Sequence, residues 1–330
     1  MARVSICIPT YNQAQYLQKS AESACQQTYP DVEVWVSDDA STDETPELMA
    51  ELCRQFPQIR YHRHSQNLGI AANNNWLLSQ PETEFIVRLD SDDLLSPSYV
   101  ESLLEQLSAY PKAAYAHAAV QEIDRYGKPR RVRQLSGRNQ FQTAEEALQA
   151  AISGYRVAAN ICIFRSVVLH QLGFYRKGMN FAEDWDLSVR IADAGWGNVY
   201  IPKVLASYRV WIDTGQVRAK RKESELRGII QLYEQSLQPA FASRGWNTEI
   251  IHHQRRQMAM NHAIVLDSPM FTAAEQATIV ELLRELGDSP ALQRYLRLLR
   301  WGFGFYFRWQ SKLLLLLKDQ VKYWLAKLHK

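Results

Sequence analysis

The chain is predicted to be an α/β protein, with a mainly parallel central sheet flanked by helices and a helical C-terminal appendage. Apolar, strand-like segments alternate with helix-compatible segments over residues 4–109, which is typical of a parallel sheet covered by helices. Beyond residue 222 only helical periodicity remains, with weak breaks at Gly245, Pro269 and Pro290. A chain of 330 residues with 46% hydrophobic and 22% charged side chains is globular, not disordered or fibrous.

The predicted elements follow from local composition, since strands end in polar turns and helices repeat apolar residues at three- or four-residue spacing. The strands are predicted at residues 4–8, 32–36, 59–62, 85–89, 113–123, 160–164, 198–201 and 204–210. The helices are predicted at 12–27, from 45 onward, at 70–78 and 99–109, and in the later part of 181–194, where a loop passes into a helix. The basic stretch 126–142 is interpreted as an irregular surface excursion. We therefore expect a catalytic unit at 1–215 and a helical region at 216–330.

The cysteines and the N-terminus indicate a cytoplasmic protein. The four cysteines form no C-x-x-C pair, which predicts buried free thiols in a reducing compartment; they are Cys7, Cys25, Cys53 and Cys162. The first strand begins almost at the first residue, so a signal peptide is not expected. No apolar run approaches the roughly 20 residues that span a bilayer.

Three carboxylates follow the apolar strand at 85–89. Asp90, Asp92 and Asp93 repel one another, and a hard divalent cation with oxygen ligands would offset that repulsion. The carboxyl end of a strand is also where open α/β sheets place their ligands. The alternative is a polar loop that caps the next helix.

Other polar segments follow neighbouring strands and are expected to meet the acidic turn at one edge of the sheet. They are Pro9-Thr-Tyr-Asn12, Asp38-Asp39-Ala-Ser-Thr-Asp43 and the stretch 67–75 with its N-L-G sequence. Together with D-S-D-D at 90–93 and E-D-W-D-L at 183–187, these motifs resemble the family 2 glycosyltransferases of GT-A fold. The resemblance covers about residues 3–210, with the motifs in the family's order and spacing.

The resemblance implies transfer of a sugar from a nucleotide-diphosphate sugar, with a UDP-sugar as the leading donor, and inversion at the anomeric carbon. It implies a saccharide acceptor, which would be a lipid-linked saccharide, as in bacterial surface polysaccharide synthesis, if the C-terminal tail lies on a membrane. It also implies that the nucleotide is held by five residues, namely Pro9, Tyr11, Asn12, Asp39 and Asn67. Asp90 and Asp92 would bracket the diphosphate and a Mn²⁺ or Mg²⁺ ion, which stabilises the leaving group.

By the same resemblance Asp184 is the general base that accepts the acceptor's proton, while Glu183 supports it or touches the acceptor. Capping of a helix N-terminus is an alternative role for this pair. We expect Asp186 to face solvent or to cap. Asp38 and Asp43 are interpreted as turn and capping residues rather than ligands.

The chain departs from the family's pattern at Asn74, where relatives often carry an Arg that could meet the diphosphate. We hypothesise that Arg88 replaces it, because strand alternation points Arg88 the same way as Asp90 and a buried Arg needs an anionic partner. The alternative for Arg88 is a structural ion pair with one of the acids.

A second departure is Trp211, which stands where many relatives have a His that reaches the diphosphate, and which is proposed to stack on a sugar ring. The loop 216–222, with Arg218, Lys220, Arg221 and Lys222, is a candidate lid over the diphosphate. The alternative for this loop is a solvated run of charges.

The net charge of +3 conceals a basic C-terminal end. Residues 291–330 carry nine Lys or Arg and one acid, so the preceding 290 residues are net acidic. A helix over 301–330 would be amphipathic and basic, which favours a peripheral position on the inner face of the cell membrane. The alternative is packing on the catalytic unit or on a second subunit in a homo-oligomer. Nucleic acid is not expected, since no recognised binding module accompanies the tail.

Two other functional classes remain open. A sugar-nucleotide-binding protein that has lost catalysis would share the fold, although intact Asp90, Asp92 and Asp184 argue against it. A nucleotidyltransferase would also use an α/β fold with metal-bound carboxylates, and it would release pyrophosphate rather than a nucleoside diphosphate.

Overall fold

The computed structural model describes residues 3–211, 221–268 and 270–301. Within these residues one sheet contains ten strands. They are β1 Val4–Thr10, β2 Val32–Asp38, β3 Ile59–Arg63, β4 Phe85–Arg88, β5 Leu94–Leu95, β6 Ala113–Ile123, β7 Pro129–Arg133, β8 Phe141–Gln142, β9 Cys162–Arg165 and β10 Gly197–Arg209.

Helices connect the strands and continue beyond them. Those of the first part are α1 Ala14–Cys25, α2 Thr45–Gln55, α3 Ile70–Leu78, α4 Tyr99–Ala109, α5 Ala144–Ala151, α6 Ser166–Leu172 and α7 Glu183–Asp193. The C-terminal ones are α8 Lys222–Leu232, the π-helical turn Tyr233–Leu237, α9 Gln238–Ser243, α10 Glu249–Ala263, α11 Ala273–Gly287 and α12 Pro290–Arg300.

The long strands of the sheet run mainly in one direction, as the sequence predicts. The strand order is β3-β2-β1-β4-β9-β6-β10-β5, with β7 on β6 and β8 on β10. The pairs β1–β2, β1–β4, β2–β3 and β6–β10 are parallel. Strand β9 is antiparallel to both β4 and β6, so β4 and β6 point the same way. The carboxyl ends of β1, β2 and β4 therefore meet at one edge.

Helices cover both faces of the sheet. On one face Val4, Ile6 and Ile8 of β1 share a buried core with residues of α1, α2 and α4. On the other face Cys7 and Ile86 pack with residues of α3, α6 and α7. Because β1 is paired along both edges and covered on both faces, its side chains are almost wholly buried.

The C-terminal helices do not stand apart from the sheet-bearing part. Their core includes Leu148 of α5 and Trp185 and Val189 of α7. Helix α8 comes very close to the loop before α7, since a Cβ at Gly228 would lie 2.2 Å from the Phe181 carbonyl oxygen. No described helix combines the length and the apolar character that a membrane crossing requires.

Some predicted elements are wrong in detail. The stretch 126–142 contains β7 and β8, which pair with β6 and β10, and so is not wholly irregular. The two strands predicted at 198–210 are one strand, β10, whose register shifts between Ile201 and Val204. Helices α5 and α6 were not predicted. The thiols are free as expected, but Cys25 and Cys53 are only partly buried.

Candidate active site

A cleft of about 240 Å³ opens at the edge where β1, β2 and β4 end. Of the predicted nucleotide and metal residues, it is lined by Pro9, Tyr11, Asp39, Asp90 and Asp92. Asn12 and Asn67 belong to the same loops and are exposed beside it. The parallel sheet thus brings the predicted residues together.

Asp39 organises the loop before α3. Its Oδ1 accepts a hydrogen bond from the Leu68 N–H at 2.7 Å and its Oδ2 accepts one from the Gly69 N–H at 2.9 Å. The Asn67 side chain donates to the Asp39 carbonyl at 3.2 Å. Gly69 has a φ of 85°, a conformation that glycine adopts without strain. This loop-closing role of Asp39 was missed, because it depends on contacts across 29 residues of sequence.

Asn12 joins the two turns that flank the cleft. It has a φ of 52°, its Oδ1 accepts from the Thr42 N–H at 2.8 Å, and its own N–H donates to Ser41 Oγ at 2.9 Å. The predicted turn roles of Asp38 and Asp43 are confirmed. Asp38 accepts from the Ser41 N–H, and Asp43 accepts from N–H groups at the starts of α1 and α2.

Arg88 lies between Asp90, which follows β4, and Asp184, at the start of α7. Its Nη2 is 2.9 Å from Asp90 Oδ1, and its Nη1 is 4.0 Å from Asp184 Oδ1 and donates to the Asn160 carbonyl at 3.3 Å. Arg88 is only 5% exposed, so it needs these anions. Burial by itself would lower the pKa of Arg88, but the charges of Asp90 and Asp184 raise it well above its usual value. The ion pair considered from the sequence is therefore present; the diphosphate contact stays a prediction.

Residues at and just after the end of β10 form hydrogen bonds to the acidic turn at residues 90–93. Trp211 donates from Nε1 to Asp92 Oδ2 at 2.7 Å, and the Arg209 N–H donates to Asp93 Oδ1 at 2.7 Å. Burial and the charge of Asp90 raise the pKa of Asp92. Burial, Asp90 and Asp92 raise the pKa of Asp93 well above its usual value. The bond between Trp211 and Asp92 was not predicted from the sequence, and the stacking of Trp211 on a sugar stays a prediction.

The donor set fits a hard divalent cation that is shared with a phosphate ligand. The Asp90 side chain is 30% exposed, and both Asp90 and Asp92 line the cleft. Within the described part of the chain no group of three or more His, Cys, Asp or Glu residues could hold a metal by itself. Mg²⁺ is usually bound by one or two carboxylates together with substrate phosphates, which is what this pair can offer.

Asp184 lies at the start of α7, which follows Ala182 in a left-handed conformation. The Tyr175 hydroxyl donates to Asp184 Oδ1 at 2.8 Å. Burial raises the pKa of Asp184, although Arg88 and the Tyr175 hydroxyl oppose the shift. Burial and the charge of Asp184 raise the pKa of Glu183 to about 7. Two adjacent carboxyls with raised pKa values are typical of an acid–base site.

The expectation for Asp186 is wrong. Its side chain is fully buried and pairs with Arg190 at 2.7 Å and Arg176 at 3.3 Å, while the Ser236 hydroxyl also donates to it. It faces inward because α7 is covered by the C-terminal helices, which the local sequence does not reveal. Asn74 is buried and lines the cleft, and it donates to the Ile70 carbonyl at 3.0 Å.

Parts of two other predictions lie outside the described residues. Arg218 and Lys220 of the candidate lid are among residues 212–220, and nearly all of the tail is among residues 302–330. Lys222, at the other end of the candidate lid, begins α8 and pairs with Glu225. Trp301 is described and is 67% exposed.

Comparison with known proteins relates this chain to glycosyltransferases. Residues 5–172 match the family model described as Glycosyl transferase family 2. Chondroitin synthase of Escherichia coli is 29% identical over 192 residues, which cover 58% of this chain and 27% of that protein. The chain thus matches about a quarter of that relative's length.

Two solved structures share the fold. S. aureus TarS 1–349 in complex with UDP-GlcNAc has a TM-score of 0.62 at 17% identity, covering 86% of this chain and 80% of that one. The mannosyltransferase PcManGT from Pyrobaculum calidifontis, in complex with GDP-Man and Mn²⁺, has a TM-score of 0.58 at 19% identity, covering 94% and 83%. The predicted GT-A fold with its helical C-terminal region is confirmed.

Proposed function

The chain belongs to glycosyl transferase family 2, and we propose that it transfers a sugar from a nucleotide-diphosphate sugar to a hydroxyl of a saccharide acceptor, with inversion. One observation carries the proposal. The strand-end acid Asp90 and the helix-start acid Asp184 flank a single buried guanidinium, that of Arg88, beside the cleft. A leaving group and an attacking hydroxyl need charged groups on two sides of the donor sugar, and this arrangement supplies both.

The donor half of the proposal places the nucleotide in the 240 Å³ cleft. Its residues are Pro9, Tyr11, Asn12, Asp39 and Asn67. Tyr11 is 47% exposed, which leaves its ring available to a base. The UDP-GlcNAc bound to TarS and the GDP-Man bound to PcManGT support a nucleotide-sugar donor. We propose a UDP-sugar.

Asp90 and Asp92 would hold a Mn²⁺ or Mg²⁺ ion. Such a cation, when bound, stabilises the negative charge that develops on the departing diphosphate. The Mn²⁺ complex of PcManGT supports this assignment. Asp92 accepts one hydrogen bond, from Trp211 Nε1, and Asp90 pairs with Arg88, so both carboxylates keep lone pairs that could bind a cation.

Asp184 would act as the general base. Its Oδ1 accepts from Tyr175, whereas its Oδ2 receives no hydrogen bond from any described residue. Oδ2 is therefore the oxygen proposed to take the proton from the acceptor hydroxyl as that hydroxyl attacks the anomeric carbon. A single displacement of this kind inverts the configuration.

The acceptor is proposed to be lipid-linked and the protein to lie on the inner surface of the cell membrane. The basic tail and exposed Trp301 support this. Deletion of residues 302–330 should reduce co-sedimentation with anionic liposomes, and binding that is unchanged would refute the membrane assignment.

The central experiment combines the purified chain with a panel of nucleotide sugars, saccharide acceptors and Mn²⁺, and identifies the product that is released. Nucleoside diphosphate supports glycosyl transfer, whereas pyrophosphate would indicate nucleotidyl transfer. Asp184→Asn should reduce transfer by at least about 100-fold, on the order of what a lost general base costs, and should spare donor binding. Asp193→Asn, an exposed acid on the same helix, is the matched control. Full activity of Asp184→Asn would contradict the mechanism.

A further inference from the structure

Tyr175 is a buried residue that contacts the proposed base. Its side chain is 2% exposed, and its hydroxyl donates to Asp184 Oδ1 at 2.8 Å. Tyr175 lies in the turn after α6, nine residues before Asp184. A buried hydroxyl needs a hydrogen-bond acceptor within the protein, and Asp184 provides one for Tyr175.

The backbone of Tyr175 is itself held by a side chain of α3, the helix that lines the proposed nucleotide cleft. Asn75 Oδ1 accepts from the Tyr175 N–H at 2.9 Å, and Asn75 Nδ2 donates to the Tyr175 carbonyl at 2.9 Å. The two bonds are reciprocal and join residues that are 100 positions apart. Asn75 belongs to α3, which begins at the loop that Asp39 closes. Helix α3 therefore determines where the Tyr175 hydroxyl lies.

The contacts of Asp184 distinguish its two oxygens. Oδ1 is bonded to Tyr175 and lies 4.0 Å from Arg88 Nη1. Oδ2 receives no hydrogen bond from the described chain, so its lone pairs are available to an acceptor hydroxyl. A carboxylate held at one oxygen by a rigid donor keeps the other in a fixed direction, which is the geometry that proton abstraction requires.

We propose that Tyr175 is a positioning residue for Asp184 and that Asn75 fixes Tyr175. Helix α3, which lines the nucleotide cleft, would thereby set the direction of the Asp184 carboxylate. The inference rests on the proposed role of Asp184. It adds a link between the nucleotide side and the acceptor side that passes through Asn75 and Tyr175, separate from the one through Arg88.

The sign of the expected pH effect follows from the groups around Asp184. Those facing or adjoining it are Arg88, Asp90, Tyr155, Cys162, Tyr175 and Glu183. A hydroxyl that donates to the carboxylate favours its ionised form. Removing that hydroxyl should raise the pKa of the base, so a higher pH is needed before the base is ionised and active.

The experiment compares Tyr175→Phe with Tyr233→Phe. Tyr233 is a matched control, because it is also fully buried and its hydroxyl donates to the Ile152 carbonyl at 2.7 Å, within the helical core. For Tyr175→Phe we expect kcat to fall about tenfold, the size of one lost bond to a charged acceptor, with the donor KM unchanged. The acidic limb of the kcat profile should move up by about one pH unit. Tyr233→Phe should leave both unchanged.

A second variant guards against loss of folding in Tyr175→Phe. 3-Fluorotyrosine at position 175 keeps the shape and makes the hydroxyl a stronger donor, so the acidic limb should move in the opposite direction, to lower pH. Limbs that stay in place in both variants would overturn the proposal, as would equal losses in the Tyr175 and Tyr233 variants. Failure of the proposed function is separately visible, since Asp184→Asn would then retain transfer.

Discussion

Arg88→Lys tests whether the buried guanidinium serves the reaction or only the fold. The Arg88 fork reaches Asp90 with two nitrogens, at 2.9 and 3.5 Å, and comes within 4.0 Å of Asp184. A lysine ammonium keeps the charge, but it is a single point on a flexible chain and cannot span both acids. The substitution therefore removes geometry while it retains charge.

The magnitude follows from the contacts that are lost. A hydrogen bond to a charged group contributes roughly 1.5–3 kcal/mol, and about 1.4 kcal/mol corresponds to a factor of ten. If the introduced lysine keeps the bond to Asp90 and loses the approach to Asp184, we expect donor affinity to weaken about tenfold and kcat to fall by at least that factor. Because one partner of a buried cluster is loosened, thermal stability should fall as well.

The assay is donor binding by calorimetry, together with steady-state transfer and thermal unfolding. Arg165→Lys is the control, since Arg165 lies on the neighbouring strand β9 and donates to the carbonyls of Ala113 and Leu107, away from the acids. Unchanged donor affinity and kcat in Arg88→Lys, with only a stability loss like that of the control, would refute the catalytic reasoning and leave a structural ion pair.

Three further predictions concern the acids and their partners. Because burial and then Asp90 raise the pKa of Asp93, the folded state holds a proton that the unfolded chain releases above about pH 4, so wild-type stability should fall as pH rises. Asp93→Asn should lack this fall. The prediction would be contradicted if urea unfolding gave the same stability difference between wild type and variant at pH 5 and at pH 8. Asp186→Asn should cost about 3–5 kcal/mol in urea unfolding, because it leaves Arg190 without its buried anion, and a loss below about 1 kcal/mol would argue otherwise. Trp211→Phe should weaken Mn²⁺ binding about tenfold in calorimetry, because it removes the hydrogen bond that orients Asp92, and unchanged or tighter binding would count against that role.

The positions of the site loops could be predicted from the sequence, because strand alternation and polar turns are local signals. The acids after β4 and the polar turns after β1 and β2 lie at one edge, as parallel pairing requires. Strand alternation also placed Arg88 beside Asp90. Even the turn roles of Asp38 and Asp43 follow from residues within a few positions of them.

The tertiary structure alone decided how the cleft at the sheet edge is joined to Asp184 and to the elements around it. Tyr175 meets Asp184 because Asn75, 100 residues earlier in the chain, holds the Tyr175 backbone. Trp211 meets Asp92 because β10 returns past the acidic turn, 119 residues after it. Asp186 is buried because the C-terminal helices pack on α7. Periodicity and motif spacing report which face of its own element a residue occupies, whereas these contacts depend on which elements the sheet order and helix packing bring together.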